Sequence, residues 1–267
     1  MTSVIRDTQK LIKRYKNGKE NFHSITLRAA FLPNRYRLDP VSVVDESWDV
    51  LIVLDACNFD HFKEISHIDG KLSKIPSKGT HTVEWMRENF DRDCSDIVYV
   101  AGNPQVSRTK LKNWVGVENP FYHLEPVWKD EWNEKRNTQP PGPVSDAARE
   151  LHSEFPDKRL IVHYLQPHHP FIGEETPSTT HRQNQILNSM NWRPIFDELS
   201  LDTIEQAFHE NLRIVLDDIN DLLSDLSGDI VITADHGEAF GEYGLYGHVP
   251  GLYAPSMVFV PWLEVES

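Results

Sequence analysis

Residues 48–55 read WDVLIVLD, an apolar and β-branched run that ends in an aspartate. A run of this length without polar alternation is typical of a strand buried on both faces, as in a parallel sheet. We therefore predict a buried strand over 48–54. Four later stretches have the same character and predict further strands: 96–101, 159–165, 229–233 and 256–260.

Helical patterns lie between these strands, at 58–65, 83–90, 144–155 and 201–226. In the last of them, apolar residues recur at helical spacing, which predicts a face packed on the core. The alternation of strands and helices predicts an α/β fold, with a mostly parallel central sheet sandwiched between helices. The run PPGP at 140–143 predicts a loop, the clearest internal break.

Composition limits the class of protein and its partners. The chain has 267 residues, of which 39% are hydrophobic and 10% aromatic, enough for the core of one large domain. It carries 27 basic and 41 acidic residues, a net charge of −14, which argues against a nucleic-acid partner. Two cysteines cannot form a disulfide framework, and no stretch approaches the roughly 20 apolar residues that span a bilayer.

The first forty residues differ from the rest. Residues 4–16 interleave apolar and basic side chains, which predicts a short basic helix. We expect residues 1–40 to form an N-terminal basic helical appendage, and residues 41–267 to form a single α/β domain. The helix packs on the domain in one interpretation and contacts a membrane surface in the other. No apolar signal core follows the charges, which predicts a cytoplasmic location.

Ligands of open α/β sheets bind beyond the carboxyl ends of the strands. Carboxylates and imidazoles follow three of the predicted strands: Asp55, His168, His169, Asp235, His236 and His248. This mixture suits zinc or manganese, and a carboxylate-rich shell also admits calcium or magnesium. Gly237 would allow a sharp turn beside an ion. His163, inside a strand, is predicted to be a core histidine.

A hydroxyl nucleophile could lie in the stretch SKGTHT at 77–82, just before a predicted helix. Hydroxyls at a helix start meet unpaired backbone N–H groups, an environment that favours phosphate or sulfate. The alternative is that Thr80 or Thr82 only caps the helix. Spacing alone does not choose between these interpretations.

With these motifs the sequence resembles the alkaline phosphatase superfamily, in its sulfatase-like branch. The resemblance rests on five pieces in the family's order: LDACNFD at 54–60, the helix start at 77–85, HYLQPHHPF at 163–171, TADHGE at 233–238 and Gly247–His248. Short sulfatase-like proteins of archaea and bacteria look most similar.

The resemblance implies a metal site, a nucleophile and substrate-side groups. It implies a site for one or two divalent ions, of which we expect one per chain (zinc, manganese or calcium), on Asp55, Asp235 and His236. Thr82 looks like the nucleophile, with Thr80 and Ser77 as alternates. His168 and His248 look like groups that hold the ester oxygens or assist the leaving group. The same surroundings include His169 and Asn103.

The sequence departs from the family's pattern at two places. The sulfatase motif that is matured to formylglycine is absent, and Thr82 stands at the matching position. No Asp-x-x-x-His set supplies a second metal. We therefore expect a hydrolase or transferase of small-molecule or glycan phosphate esters. The alternatives are a sulfate-ester hydrolase that works without formylglycine and a non-catalytic binding protein that keeps the metal scaffold.

Overall fold

The structure is a computed structural model that describes residues 7–10, 13, 22–173 and 199–266. Within them the strands are β1 Val50–Asp55, β2 Gly70–Pro76, β3 Cys94–Ala101, β4 Phe121–Glu125, β5 Arg159–Pro167, β6 Ile230–Ala234, β7 Ala239–Phe240, β8 Tyr246–Gly247 and β9 Phe259–Val265. The α-helices are α1 Phe22–Phe31, α2 Asn34–Arg37, α3 Phe59–Ile65, α4 Thr82–Asn89, α5 Arg108–Lys110, α6 Pro141–Glu154, α7 Leu201–Leu223 and α8 Pro255–Val258.

Seven strands form one sheet in the order β2-β9-β6-β1-β5-β3-β4. The five strands from β6 to β4 run parallel, and β9 is antiparallel to both of its neighbours. Helices α3, α6 and α7 contribute to the core on one face, and α4 contributes on the other. The predicted fold, a mostly parallel sheet between helices, is confirmed.

Strand β1 lies at the centre of the sheet, and all six of its residues are buried. Val50, Ile52 and Leu54 belong to the core that includes α7, whereas Leu51 and Val53 belong to the core that includes α4. Both faces of the strand are therefore covered, which explains the unbroken apolar run.

Two local predictions are wrong. The stretch 256–260 is not one strand, because α8 occupies Pro255–Val258 and β9 begins only at Phe259. The run PPGP is not simply a loop, because α6 begins at Pro141. In both cases a proline occupies the first helical turn, where no backbone N–H donor is needed.

The N-terminal part packs against the loop that follows β8. Arg28 Nη1 on α1 donates to the Pro250 carbonyl at 2.7 Å, and Asn34 Nδ2 on α2 donates to the Tyr253 carbonyl at 2.9 Å. Residues 7–10 are helical, whereas most of the predicted basic helix at 4–16 lies outside the described residues.

Candidate active site

Three predicted ligands meet at the carboxyl edge of the sheet. Asp55 is the last residue of β1, and Asp235 and His236 directly follow β6. All three are buried, and each offers a ligand atom within 4.8 Å of the others. His236 Nε2 lies 3.4 Å from Asp55 Oδ1 and 3.5 Å from Asp235 Oδ2.

The backbone and one amide orient the carboxylates. Asp235 Oδ1 accepts from the backbone N–H groups of Ala56 at 3.2 Å and His236 at 2.8 Å. Asp55 Oδ2 accepts from Asn103 Nδ2 at 2.7 Å. The other oxygens, Asp55 Oδ1 and Asp235 Oδ2, are buried without a hydrogen-bond partner. Buried carboxylate oxygens without partners are costly, so this donor set fits a bound cation.

The charges of the cluster depend on one another. Burial alone would raise the pKa of Asp55, but His168 and His236 bring it to about 2. Burial alone would lower the pKa of His236, but Asp235 and Asp55 raise it to about 10. His236 Nδ1 lies 3.0 Å from the Gly237 carbonyl, which can only accept, so Nδ1 carries a proton and Nε2 faces the carboxylates.

The candidate hydroxyls have different environments. Ser77 Oγ donates to the Asp235 carbonyl at 2.5 Å, and Thr80 Oγ1 donates to Glu84 Oε2 at 2.8 Å. Thr82 Oγ1 instead lies 3.4 Å from Asn103 Nδ2, the amide group that also contacts Asp55. The N-cap residue of α4 is His81, without a side-chain cap bond, so neither threonine is the N-cap.

A second group of possible ligands lies beside the first: His168, Glu238 and His248. His248 Nδ1 lies 3.2 Å from each Glu238 carboxyl oxygen, and the His248 ring centroid lies 4.5 Å from that of His236. Burial raises the pKa of Glu238 to about 8, although His168 and His236 oppose this. Burial and the nearby His236 lower the pKa of His248 to about 3. These donors could hold a cation or the oxygens of an ester.

The remaining predicted residue of these surroundings, His169, is also fully buried. Its ring centroid lies 4.3 Å from that of His168. The two rings are tilted against each other directly after β5, so His169 lies beside the group of His168, Glu238 and His248.

Two buried residues near the cluster, His163 and Glu238, were not predicted as site residues from the sequence. His163 is fully buried, as predicted for a core histidine, but its Nε2 lies 3.8 Å from Asp235 Oδ2. Tyr99 Oη holds the other ring nitrogen at 2.7 Å. Glu238 belongs to the TADHGE motif yet was not among the predicted site residues. The strand register places His163 beside Val53, and the sequence alone does not provide that register.

Gly237 is needed for a reason other than the predicted sharp turn. A Cβ atom there would lie 2.1 Å from the Ser256 carbonyl oxygen and 2.9 Å from Asn58 Cβ. The backbone φ angle of Gly237 is not positive, so the residue is not required by a left-handed conformation. The close approach of α8 therefore excludes a side chain beside His236.

No protein-family model and no curated protein matches the sequence. Solved structures do match. The soluble domain of lipooligosaccharide phosphoethanolamine transferase A from Neisseria meningitidis has 15% identity and a TM-score of 0.56, over 80% of this chain and 75% of that one. The integral membrane form of this transferase has 14% identity and a TM-score of 0.54, over 97% of this chain and 59% of that one. This chain therefore spans about three fifths of the length of the membrane protein. The phosphonate monoester hydrolase of Agrobacterium radiobacter has 13% identity and a TM-score of 0.51, over 80% of this chain and 66% of that one.

These similarities identify the class of fold. The chain has the alkaline phosphatase/sulfatase-like fold, as its motifs predict. Two of the matched proteins are named as a phosphoethanolamine transferase and a phosphonate monoester hydrolase.

The comparisons contradict the predicted cytoplasmic location. The matched transferase A from Neisseria meningitidis is an integral membrane protein, and its soluble domain also matches this chain. The prediction rested on a basic N-terminus without an apolar core, a feature that does not report the compartment. In the described part of the chain, no helix is long and apolar enough to cross a bilayer.

Proposed function

We propose that this chain is a metal-dependent hydrolase or transferase of phosphate esters, with Thr82 as its nucleophile. One observation carries the proposal: two buried carboxylate oxygens without partners, Asp55 Oδ1 and Asp235 Oδ2, face one imidazole. Asn103 links Asp55 to the Thr82 hydroxyl, so ligand and nucleophile share one amide.

Asp55, Asp235 and His236 would hold one zinc, manganese or calcium ion. When bound, the ion would favour the deprotonated Thr82 hydroxyl and offset negative charge on the phosphoryl oxygens. The buried carboxylates are oriented by backbone N–H groups and by Asn103, so little reorganisation is needed when the ion binds.

In the proposed reaction Thr82 Oγ1 loses its proton to solvent and attacks phosphorus. The bond from phosphorus to the ester oxygen breaks, and that oxygen leaves from the opposite side and takes up a proton from solvent. His168 and His248 donate N–H hydrogen bonds to the phosphoryl oxygens and to the leaving oxygen. The product is a phosphothreonine, which water or an acceptor alcohol then attacks to release phosphate or a new ester. A phosphate ester is favoured over a sulfate ester because threonine cannot be matured to formylglycine.

The test compares wild type, Thr82→Ser and Thr82→Ala on p-nitrophenyl phosphate and p-nitrophenyl sulfate, with each of the three metals supplied. We expect phosphate turnover that falls at least about 10³-fold in Thr82→Ala and partly persists in Thr82→Ser. Intact-mass spectrometry should find a phosphorylated wild-type chain and an unmodified Thr82→Ala chain.

Full turnover by a folded Thr82→Ala variant would refute the nucleophile. Faster turnover of the sulfate ester would favour the sulfatase alternative. Metal binding without turnover of either ester would favour the non-catalytic binding protein.

A further inference from the structure

A buried carboxylate outside the metal cluster joins two loops of the candidate active site. Glu84 on α4 is 4% exposed. Its Oε2 accepts from the Thr80 backbone N–H at 3.1 Å and from the Thr80 hydroxyl at 2.8 Å, and its Oε1 accepts from Tyr253 Oη at 2.5 Å. The Thr80 hydroxyl in turn accepts from the Gly251 N–H at 2.7 Å. One carboxylate therefore ties the loop before α4 to the loop after β8.

These two loops carry residues that the proposed reaction uses. Thr82 lies two residues beyond Thr80, at the start of α4, and His248 begins the loop that contains Gly251 and Tyr253. The junction thus sets the position of the nucleophile relative to a substrate-side histidine.

The choice of a carboxylate at this place needs an explanation. Burying a charge is costly, and a well-packed apolar residue of similar volume often gives equal stability. Three hydrogen-bond donors surround the Glu84 carboxylate, two from Thr80 and the third from the other loop. Two basic side chains of the same segment also lie within ion-pair distance, His81 Nδ1 at 3.7 Å from Oε2 and Arg87 Nη2 at 3.9 Å from Oε1. A carboxylate can accept from all three donors at once, whereas a glutamine side chain has only one acceptor atom.

We propose that Glu84 is a positioning residue that keeps Thr82 and His248 at a fixed distance and orientation, so that both contact the same phosphoryl group. This inference rests on the proposed function. Its physical basis is that small displacements of reacting groups have large kinetic effects: a shift of about 1 Å can cost about 10²-fold in rate.

The test is the kinetics of Glu84→Gln, with Glu88→Gln as the matched control. Glu88 lies on the same helix one turn later, and its side chain is 38% exposed. With p-nitrophenyl phosphate and zinc, well below the melting temperature of each variant, we expect kcat of Glu84→Gln to fall about 10- to 100-fold. KM and the zinc content should stay within about twofold of wild type, because the metal ligands are untouched. Glu88→Gln should match wild type.

A second variant keeps the inference testable if Glu84→Gln does not fold. Tyr253→Phe removes only the donor from the loop after β8, and it should lower kcat by a smaller factor with unchanged KM. The rate at which the phosphorylated chain forms should fall in parallel in both variants.

The outcomes separate the two proposals. In one outcome, wild-type turnover requires Thr82, and the folded Glu84→Gln and Tyr253→Phe variants have the same kcat as Glu88→Gln. This outcome would overturn the role of Glu84 and leave the proposed function standing. A lower melting temperature with unchanged kcat would show a purely structural role, which also overturns it. Turnover that does not require Thr82 would overturn both.

Discussion

Replacing Asp235 by asparagine tests the metal cluster with a minimal change of shape. Asp235 Oδ1 accepts two backbone N–H groups, and an asparagine carbonyl can keep both. Asp235 Oδ2 would become an amide nitrogen, which cannot ligate a cation. Alanine would instead leave two buried N–H groups unpaired, and would mix a folding defect with the loss of a ligand.

The metal-free variant should be less stable than the metal-free wild type. The two hydrogen bonds to Asp235 lose their ionic character, at a cost of about 1 kcal/mol each. The charge of Asp235 also stabilises the charged form of His236, whose pKa it raises, so its removal costs further stability although its repulsion with Asp55 is relieved.

The effect on the metal-bound protein is larger. At about 100 times its Kd, an ion that binds only the folded state stabilises it by about 2.7 kcal/mol. At about 2–4 °C per kcal/mol for a domain of this size, wild type should melt roughly 5–11 °C higher with the ion. Asp235→Asn should lose this upshift.

The assay is thermal denaturation of chelator-treated protein, with zinc or manganese added back, together with ion counting by native mass spectrometry. Asp218→Asn is the control, since Asp218 is a partly buried carboxylate on α7 that accepts from Ser145. The control should keep the full upshift. An Asp235→Asn variant that binds one ion per chain and shifts as wild type does would refute the ligand set.

Three further predictions concern packing and pH. In Gly79→Ala, the new Cβ would lie 2.6 Å from the Trp85 backbone nitrogen, so the loop before α4 must move; we expect a loss of about 2 kcal/mol in urea denaturation and slower ester turnover. Burial and the nearby His209 lower the pKa of His61 from 6.5 to about 4, so the folded state binds fewer protons than the unfolded state in that window. Stability should therefore fall by about 2 kcal/mol as the pH drops from 6.5 to 4, and His61→Phe should remove this part of the acid sensitivity, as measured by denaturation at a series of pH values. Phe208→Ala, on the buried face of α7, should cost about 3–5 kcal/mol in urea denaturation, and a cost below 1 kcal/mol would contradict the assigned core.

The central strands could be predicted from the sequence because they are buried on both faces. Strand β1 and strand β5 read as continuous apolar runs for this reason. Strand β2 was missed, since it lies at the edge of the sheet, half-buried, and its lysines break the apolar run. The PPGP run at the start of α6 predicts a loop, because prolines and glycine are common both in loops and in the first turn of a helix.

The candidate ligands could be predicted because parallel strands end at one edge, so Asp55 and Asp235 had to lie close together. The choice among Ser77, Thr80 and Thr82 could not be made in this way. It depends on the hydrogen-bond partners of each hydroxyl, and those of Ser77 and Thr82 (Asp235 and Asn103) belong to other elements of the fold. The contacts of Glu84 with the loop after β8 likewise follow from tertiary packing rather than from local spacing.

The position of β9 in the sheet affects the order in which the active site can assemble during synthesis. Among the described residues, strand β2 pairs in the sheet only with β9, which begins 183 residues after β2 ends (Pro76 to Phe259). Until β9 has left the ribosome, β2 lacks its partner strand, and the loop that joins β2 to α4 is held only by contacts such as that of Ser77 with Asp235. A nascent chain that already contains Asp55, Asp235 and His248 therefore has the proposed ligands before the strand that leads to Thr82 is paired in the sheet. Metal binding should be acquired before turnover as the chain is made.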